Sequence, residues 1–337
     1  MYKYFLIIVT LLICWSCIPG ENPVQPFDRG GVLSSKVTLG PNYSDQVFFS
    51  LDQNKFLNFN DIYIWDLGFA CKDSSNYIIL NSAKFMKVAD LGFKSFDEVS
   101  TADLDTITEE QWIYDSPSGN LDSTAIGKWW TVENNKIVSL GKVYIVDRGT
   151  NEIGKKLGNV KFRILDYDNK TFKVVYANLK DNISHEYTIT KNNDYNYTYL
   201  SLEKTGNLLQ IEPLKEQWDL VFSKYTELLT ANDSNSMWYS VVGAYLNPNG
   251  GEAAMLKHAV FDSVNIGALD TLHLLKTRNA IGHDWKFFDL NTSSYIVDPK
   301  VVYIIKSVSG FYYKLHFMDF YDDSGNKGTP LFEFQKL

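Results

Sequence analysis

Trp65-Asp66-Leu67-Gly68-Phe69 and Trp218-Asp219-Leu220-Val221-Phe222 are one motif written twice, 153 positions apart. Upstream of the first copy stands Phe49-Ser50-Leu51, echoed upstream of the second by Leu200-Ser201-Leu202. Downstream, Phe96-Asp97-Glu98-Val99 and Leu104-Asp105-Thr106-Ile107 return as Phe261-Asp262-Ser263-Val264 and Leu269-Asp270-Thr271-Leu272. Gly127-Lys128-Trp129-Trp130 matches Gly282-His283-Asp284-Trp285, and Val143-Tyr144-Ile145-Val146 matches Val302-Tyr303-Ile304-Ile305. Lys161-Phe162-Arg163-Ile164-Leu165-Asp166-Tyr167 closes the series against Lys314-Leu315-His316-Phe317-Met318-Asp319-Phe320. The order never changes, and the offsets drift only where insertions cost least, in turns. Two tandem homologous units follow, residues 32–183 and 184–337.

The repeated stretches read as strands. In Tyr313-Lys314-Leu315-His316-Phe317 large apolar residues alternate with polar ones, which predicts an outward face carrying Lys314 and His316. Ser307-Val308-Ser309-Gly310 has the chemistry of a hairpin loop. The 8 Trp, 21 Tyr and 21 Phe make the chain 15% aromatic, a content that suits pleated, half-buried surfaces. Trp65, Trp130, Trp218 and Trp285 recur with the framework and are read as core. One short helix is expected in each unit, over residues 96–111 and 261–275. The expected fold is mainly β: two tandem homologous antiparallel β units with few short helices.

The N-terminus addresses the compartment. Lys3 precedes an apolar run over residues 4–13, too short to span a bilayer and of signal-peptide length. Leu12-Ile13-Cys14-Trp15-Ser16-Cys17 then looks like a bacterial lipobox, making residues 1–16 a lipoprotein signal peptide and Cys17 the acylated first residue; plain secretory cleavage nearby is the alternative. Residues 17–31, with Pro19, Pro23 and Pro26, form a tether. If Cys17 carries lipid, Cys71 has no disulfide partner and stability rests on the core. A formal net charge of −8 argues against a nucleic-acid partner, because phosphate binding needs a basic field.

Catalytic motifs are missing: there is no serine-nucleophile elbow, HExxH zinc motif or phosphate-binding glycine loop, and no nucleophile with a base beside it. The expectation is therefore not an enzyme. The paired Asp97/Asp262, Asp105/Asp270 and Asp166/Asp319 neighbour turn residues and suit caps and turns. The histidines are uneven, with His185, His258, His273, His283 and His316 all but one well inside the second unit. His316 and His283 match the charged Arg163 and Lys128, so solvated positions are the plain reading of both. Against it, Met255, His258, His273 and His283 lie in one 29-residue stretch, and haem iron takes His and Met as axial ligands. These four are the candidate haem ligands; no other metal site is expected.

The tracts Gln217-Trp218-Asp219-Leu220-Val221-Phe222-Ser223, Ile281-Gly282-His283-Asp284-Trp285-Lys286, Val302-Tyr303-Ile304-Ile305 and Phe317-Met318-Asp319-Phe320-Tyr321, ending at Phe332-Glu333-Phe334, resemble the HmuY-like haem-binding lipoproteins of Bacteroidetes. The likeness covers the second unit nearly end to end. It implies a lipoprotein anchored to the outer membrane at the cell surface, capturing haem or a related porphyrin outside the cell and passing it to an outer-membrane receptor for iron acquisition. In the family's best-known type two histidines ligate iron, one shortly after the tryptophan of this tract; here Trp285-Lys286-Phe287-Phe288-Asp289-Leu290 holds none, so that pair is not carried over. The alternative is a cofactor-free β-domain interaction lipoprotein contacting a receptor, glycan or matrix partner.

Overall fold

Backbone hydrogen bonding between distant stretches, more than local propensity, assembles this chain. The computed structural model describes residues 29–180, 183–203, 206–231 and 235–337. Cys17, the expected signal peptide and all but the end of the expected tether lie outside them. The first strands are β1 (Leu33–Lys36), β2 (Asp45–Ser50), β3 (Lys55–Asp61), β4 (Leu67–Ala70), β5 (Ile78–Leu80), β6 (Lys87–Asp90), β7 (Trp130–Glu133), β8 (Lys136–Ser139), β9 (Val143–Asp147), β10 (Asn159–Tyr167) and β11 (Thr171–Asn178). There follow β12 (Ser184–Thr190), β13 (Tyr197–Ser201), β14 (Asn207–Leu209), β15 (Leu220–Ala231), β16 (Asn235–Leu246), β17 (Glu252–Leu256), β18 (Lys286–Asp289), β19 (Ser294–Val297), β20 (Val302–Lys306), β21 (Tyr312–Tyr321) and β22 (Lys327–Lys336). The fold is mainly β and the strand pairings are antiparallel, as the alternation predicts.

Sheet order shows the repeat and a reciprocal exchange of strands within it. One five-stranded sheet runs β12-β11-β10-β9-β6 and its counterpart runs β1-β22-β21-β20-β17. The four-stranded sheets run β14-β13-β4-β5 and β16-β15-β2-β3. The strands that open the first sequence unit, β1 to β3, therefore complete the sheets of the second. Those that open the second, β12 to β14, complete the sheets of the first. The spatial halves thus interleave the two sequence units, and residues 31–337 cluster as one body.

The repeated Trp-Asp motif clasps each exchanged strand. Asp219 N donates to Phe49 O at 2.9 Å, and Leu51 N donates to Asp219 Oδ2 at 2.8 Å. In mirror fashion Asp66 N donates to Leu200 O at 2.9 Å, and Leu202 N donates to Asp66 Oδ2 at 2.6 Å. Both carboxylates are buried. They are neutralised differently: Lys84 and Arg148 both bond Asp66, Arg148 at 3.0 Å, whereas Asp219 accepts from Val308 N at 2.9 Å and pairs with no Lys or Arg among the described residues.

Each half has its own aromatic core. Trp285 stacks on Phe317 at 3.9 Å between ring centres, and Phe49, Phe222, Phe332 and Phe334 pack around them. In the other half Trp129, Phe69, Phe162 and Phe172 do the same. The buried counterpart of Trp285 is thus Trp129, not the half-buried Trp130 of the sequence alignment. The next strand starts at Trp130 in one unit and Lys286 in the other, so the turn from the left-handed glycine to the tryptophan holds Lys128 in the first unit but His283 and Asp284 in the second.

Two expectations change. Where a short helix is expected in each unit the structure has 3-10 turns, Thr101–Thr106 and Glu109–Gln111 in the first unit, Phe261–Ser263 and Ile266–Asp270 in the second. Lys314 and His316 are not on an outward, solvated face: both are buried, because these turns cover that side of the sheet. Lys314 Nζ donates to Phe261 O at 2.9 Å and Val264 O at 3.2 Å, and Lys161 Nζ donates to Phe96 O at 2.7 Å and Val99 O at 3.1 Å. A buried ammonium thus terminates the same turn twice, satisfying carbonyls that water no longer reaches. Asp166 and Asp319 sit at strand bulges and accept from the next backbone N–H, at 2.8 and 2.6 Å, which is the turn role expected of them.

Two tests follow from this arrangement. Fragments 32–183 and 184–337 each lack the strands that finish their sheets, so each alone should show no cooperative melting, while an equimolar mixture should refold into a 1:1 complex by sedimentation and circular dichroism. The clasps should also respond to pH with opposite sign. Burial raises the carboxyl of Asp66, but Lys84 and Arg148 outweigh it and hold it below its ordinary value; burial pushes Asp219 up to about 6. A depressed folded pKa stabilises above the unfolded value of about 3.9 and is lost in acid; a raised one stabilises most below it and is lost as pH rises through 6. Asp66→Asn, which orphans Lys84, should cost about 3–5 kcal/mol at neutral pH, a deficit shrinking only below pH ~4. The deficit of Asp219→Asn should be larger at pH ~4.5 than at pH ~7.5, both read by urea denaturation.

Candidate functional site

The halves share a frame but differ in one hairpin. β15 and β16 are 12 residues each, against 4 and 3 for their counterparts β4 and β5. Where β4 and β5 stop, Tyr77 packs edge-on against Trp130 at 5.3 Å and closes the surface. In the second unit Lys286 replaces that tryptophan, and the long edge strand β16 continues past it. The result is a cavity of about 620 Å3 between the outer strand β16 and residues 283–288. Leu229, Tyr239, Val241, Phe287, Phe288 and Tyr295 supply its apolar walls, and His283, Asp284, Lys286 and Lys327 its charged and basic groups. Tyr239, Phe287 and Phe288 are 50, 56 and 48% exposed, so three large rings stand open to solvent around one mouth.

His283 is the imidazole on the lining of this cavity. Its Nδ1 lies 3.2 Å from Asp284 Oδ1, and its Nε2 makes no hydrogen bond among the described residues. Burial and the neighbouring Lys286 ammonium push the imidazole well below its ordinary pKa, only partly opposed by Asp284. It is neutral at physiological pH, with the lone pair of one nitrogen unused. Lys286 is itself lowered, by burial; its Nζ bonds Val242 O on the strand edge and sits 4.2 Å from the centre of the Trp285 ring. The extra residue between Gly282 and Trp285 puts His283 at the cavity.

The other sequence candidates lie apart from this lining. Met255 is on β17 opposite Tyr303, packed against the apolar core. His258 sits on an exposed turn with φ 58°, and His273 is exposed after the last 3-10 turn. His316 is structural, with Nδ1 3.2 Å from Pro299 O, Nε2 3.2 Å from Glu333 Oε2 and its ring stacked on Phe261 at 4.0 Å. His185 stacks on Tyr176 at 5.3 Å. Among the described residues no three His, Cys, Asp or Glu side chains converge as a metal site. Cys71 is buried and unpaired. Sequence reading missed Lys286, Phe287, Phe288, Tyr239 and Tyr295; the signal available was the exposed Phe287-Phe288 pair, which breaks the alternation expected of a half-buried strand.

No curated protein matches this sequence. Among solved structures, apo PinO of Porphyromonas gingivitis is 10% identical over 91% of this chain and 99% of its own, with a TM-score of 0.32. A Bacteroides vulgatus protein described as HmuY-like and heme binding is 11% identical over 91% of this chain and 95% of its own, at a TM-score of 0.24. The apo HmuY analog of Tannerella forsythia is 10% identical over 92% and 98%, at 0.23. The family assignment rests instead on the sequence model of the HmuY protein, which matches twice, over residues 42–172 and 170–334. The chain belongs to the HmuY family and carries two of its units in tandem.

Proposed function

We propose that this protein is a non-enzymatic, lipid-anchored binding protein of the outer-membrane surface that takes haem into the cavity beside β16, with His283 as iron ligand, and passes it to an outer-membrane receptor. Membership of the HmuY family supports the haem reading. The observation that carries it is His283: a neutral imidazole whose Nδ1 faces a carboxylate and whose Nε2 is unused, in an aromatic cavity of about 620 Å3. A carboxylate behind a ligating histidine fixes its tautomer and raises its basicity. Haem, once bound, would supply an iron that accepts a histidine nitrogen, a flat apolar face and two carboxylates. Tyr239, Phe287, Phe288 and Tyr295 offer surfaces for the face, and Lys327 offers a cation for a carboxylate. Of the four sequence candidates, only His283 enters this reading. The lipobox supports the anchor at Cys17, and no helix among the described residues is long and apolar enough to cross a membrane.

Hemin titration of the protein lacking residues 1–17 tests the site. A shifted Soret band at 1:1 stoichiometry is expected, with affinity falling at least tenfold, about 1.4 kcal/mol, in His283→Ala, while His258→Ala and His273→Ala leave it unchanged. Absence of any Soret shift in the parent protein would overturn the haem reading and favour a cofactor-free interaction surface. Because the imidazole pKa is lowered, binding should persist at pH 6, where an ordinary histidine is largely protonated and cannot ligate. In cells, labelled palmitate should enter the parent protein and be absent from Cys17→Ala, which should be recovered in the soluble fraction.

A further inference from the structure

A second cavity opens where the two sequence units meet, with no lining residue in common with the His283 cavity. It measures about 620 Å3. The turn between β4 and β5 and Gly119 line it from the first unit; the turn before β13, the turn between β16 and β17, and residues 276 and 278 line it from the second. Four cations face it, Lys72, Lys215, Lys276 and Arg278, against one carboxylate, Asp73. In a chain of formal net charge −8 this is a local reversal of sign.

Neutral partners and distant acids leave that charge in place. Lys215 Nζ bonds Asn193 Oδ1 at 3.1 Å and the Asn193 carbonyl, both uncharged acceptors. Lys276 comes only within 3.9 Å of Glu252, which Lys306 already holds at 3.2 Å. Arg278 is built in from both sides: its N–H donates to Ser118 O at 2.7 Å, its carbonyl accepts from Leu246 N at 2.8 Å, and its guanidinium lies 4.7 Å from the centre of the Tyr245 ring. It forms no ion pair among the described residues, and its Nε is buried without a hydrogen-bond partner. Glu212 and Asp115 lie behind it, but their carboxyls are engaged by Tyr197 N at 2.6 Å and by Leu80 N at 2.6 Å, and burial raises them to about 7 and about 6. A guanidinium held in place on the cavity wall, with no ion pair among the described residues, is suited to receive an oxyanion.

We propose that this inter-unit cleft binds a small molecule bearing a carboxylate or phosphate group, gripped by Arg278 and enclosed by Lys72, Lys215 and Lys276. Asn196, Asn249, Ser74 and Tyr195, also on the lining, suit an oxygen-rich remainder.

Calorimetric titration of the protein lacking residues 1–17 with pyrophosphate, citrate and glucuronate, at constant ionic strength and with glucose as the uncharged control, tests this. Saturable binding of at least one anion is expected; pyrophosphate against the other two tells phosphate from carboxylate. Arg278→Lys should weaken it at least tenfold. The double variant Lys72→Gln/Lys276→Gln, at exposed side chains that the fold does not need, should weaken it too and keeps the test valid if Arg278→Lys melts early. His283→Ala should bind the anion as the parent does, so failure of the haem reading leaves this result standing. No saturable heat with any of the three anions, or unchanged affinity in both cation variants, would overturn the proposal.

Discussion

Two buried carboxylates, each accepting the backbone N–H of a strand from the other sequence unit, hold this molecule in its topology. Asp219 receives Leu51 and Asp66 receives Leu202, and each bond lies where an exchanged strand runs out of ladder partners. An N–H left unpaired there would cost its full desolvation. The exchange itself is favoured because both sides of it bury apolar strands: β2 brings Phe48 and Phe49 to opposite faces of its sheet, and β13 brings Leu200 into the first core. Neither sequence unit possesses a finished sheet without the other.

From that shared frame the units diverge in chemistry. The first encloses its carboxylate with Lys84 and Arg148 and closes its surface with Trp130 on Tyr77. The second leaves Asp219 without a cation among the described residues, extends β15 and β16, and inserts one residue before its tryptophan. A buried charge network is a poor place for a cavity, because any opening would hydrate it. A long edge strand beside a loosened turn is a good one, since exposed rings can be covered by a ligand. The junction between the halves has a third character, since the cations it gathers come from turns of both units.

Much of the fold is legible in the sequence. The repeated Trp-Asp pairs, the alternation in residues 313–317 and the hairpin loop at 307–310 describe antiparallel strands in two related units, because a two-residue period and turn chemistry are local properties of the chain. Partner choice was not legible. Alternation says which face a side chain takes, never which strand lies beside it, so the interleaving of β1 to β3 with the second unit had no signature. The same limit misread Lys314 and His316, whose polar face is covered by a turn some fifty residues earlier in the chain.

The candidate site divides in the same way. Composition located its histidine in a short stretch of the second unit, and could go no further, since Met255, His258, His273 and His283 are neighbours in sequence on elements that point to different surroundings. What the sequence by itself determined is the repeat, the strand content and the inventory of groups able to ligate. The tertiary structure alone decided which of them share a cavity, because that depends on the length by which β16 outruns β5 and on pairings between residues more than a hundred positions apart, and those are set by burial and hydrogen-bond satisfaction of the whole chain at once.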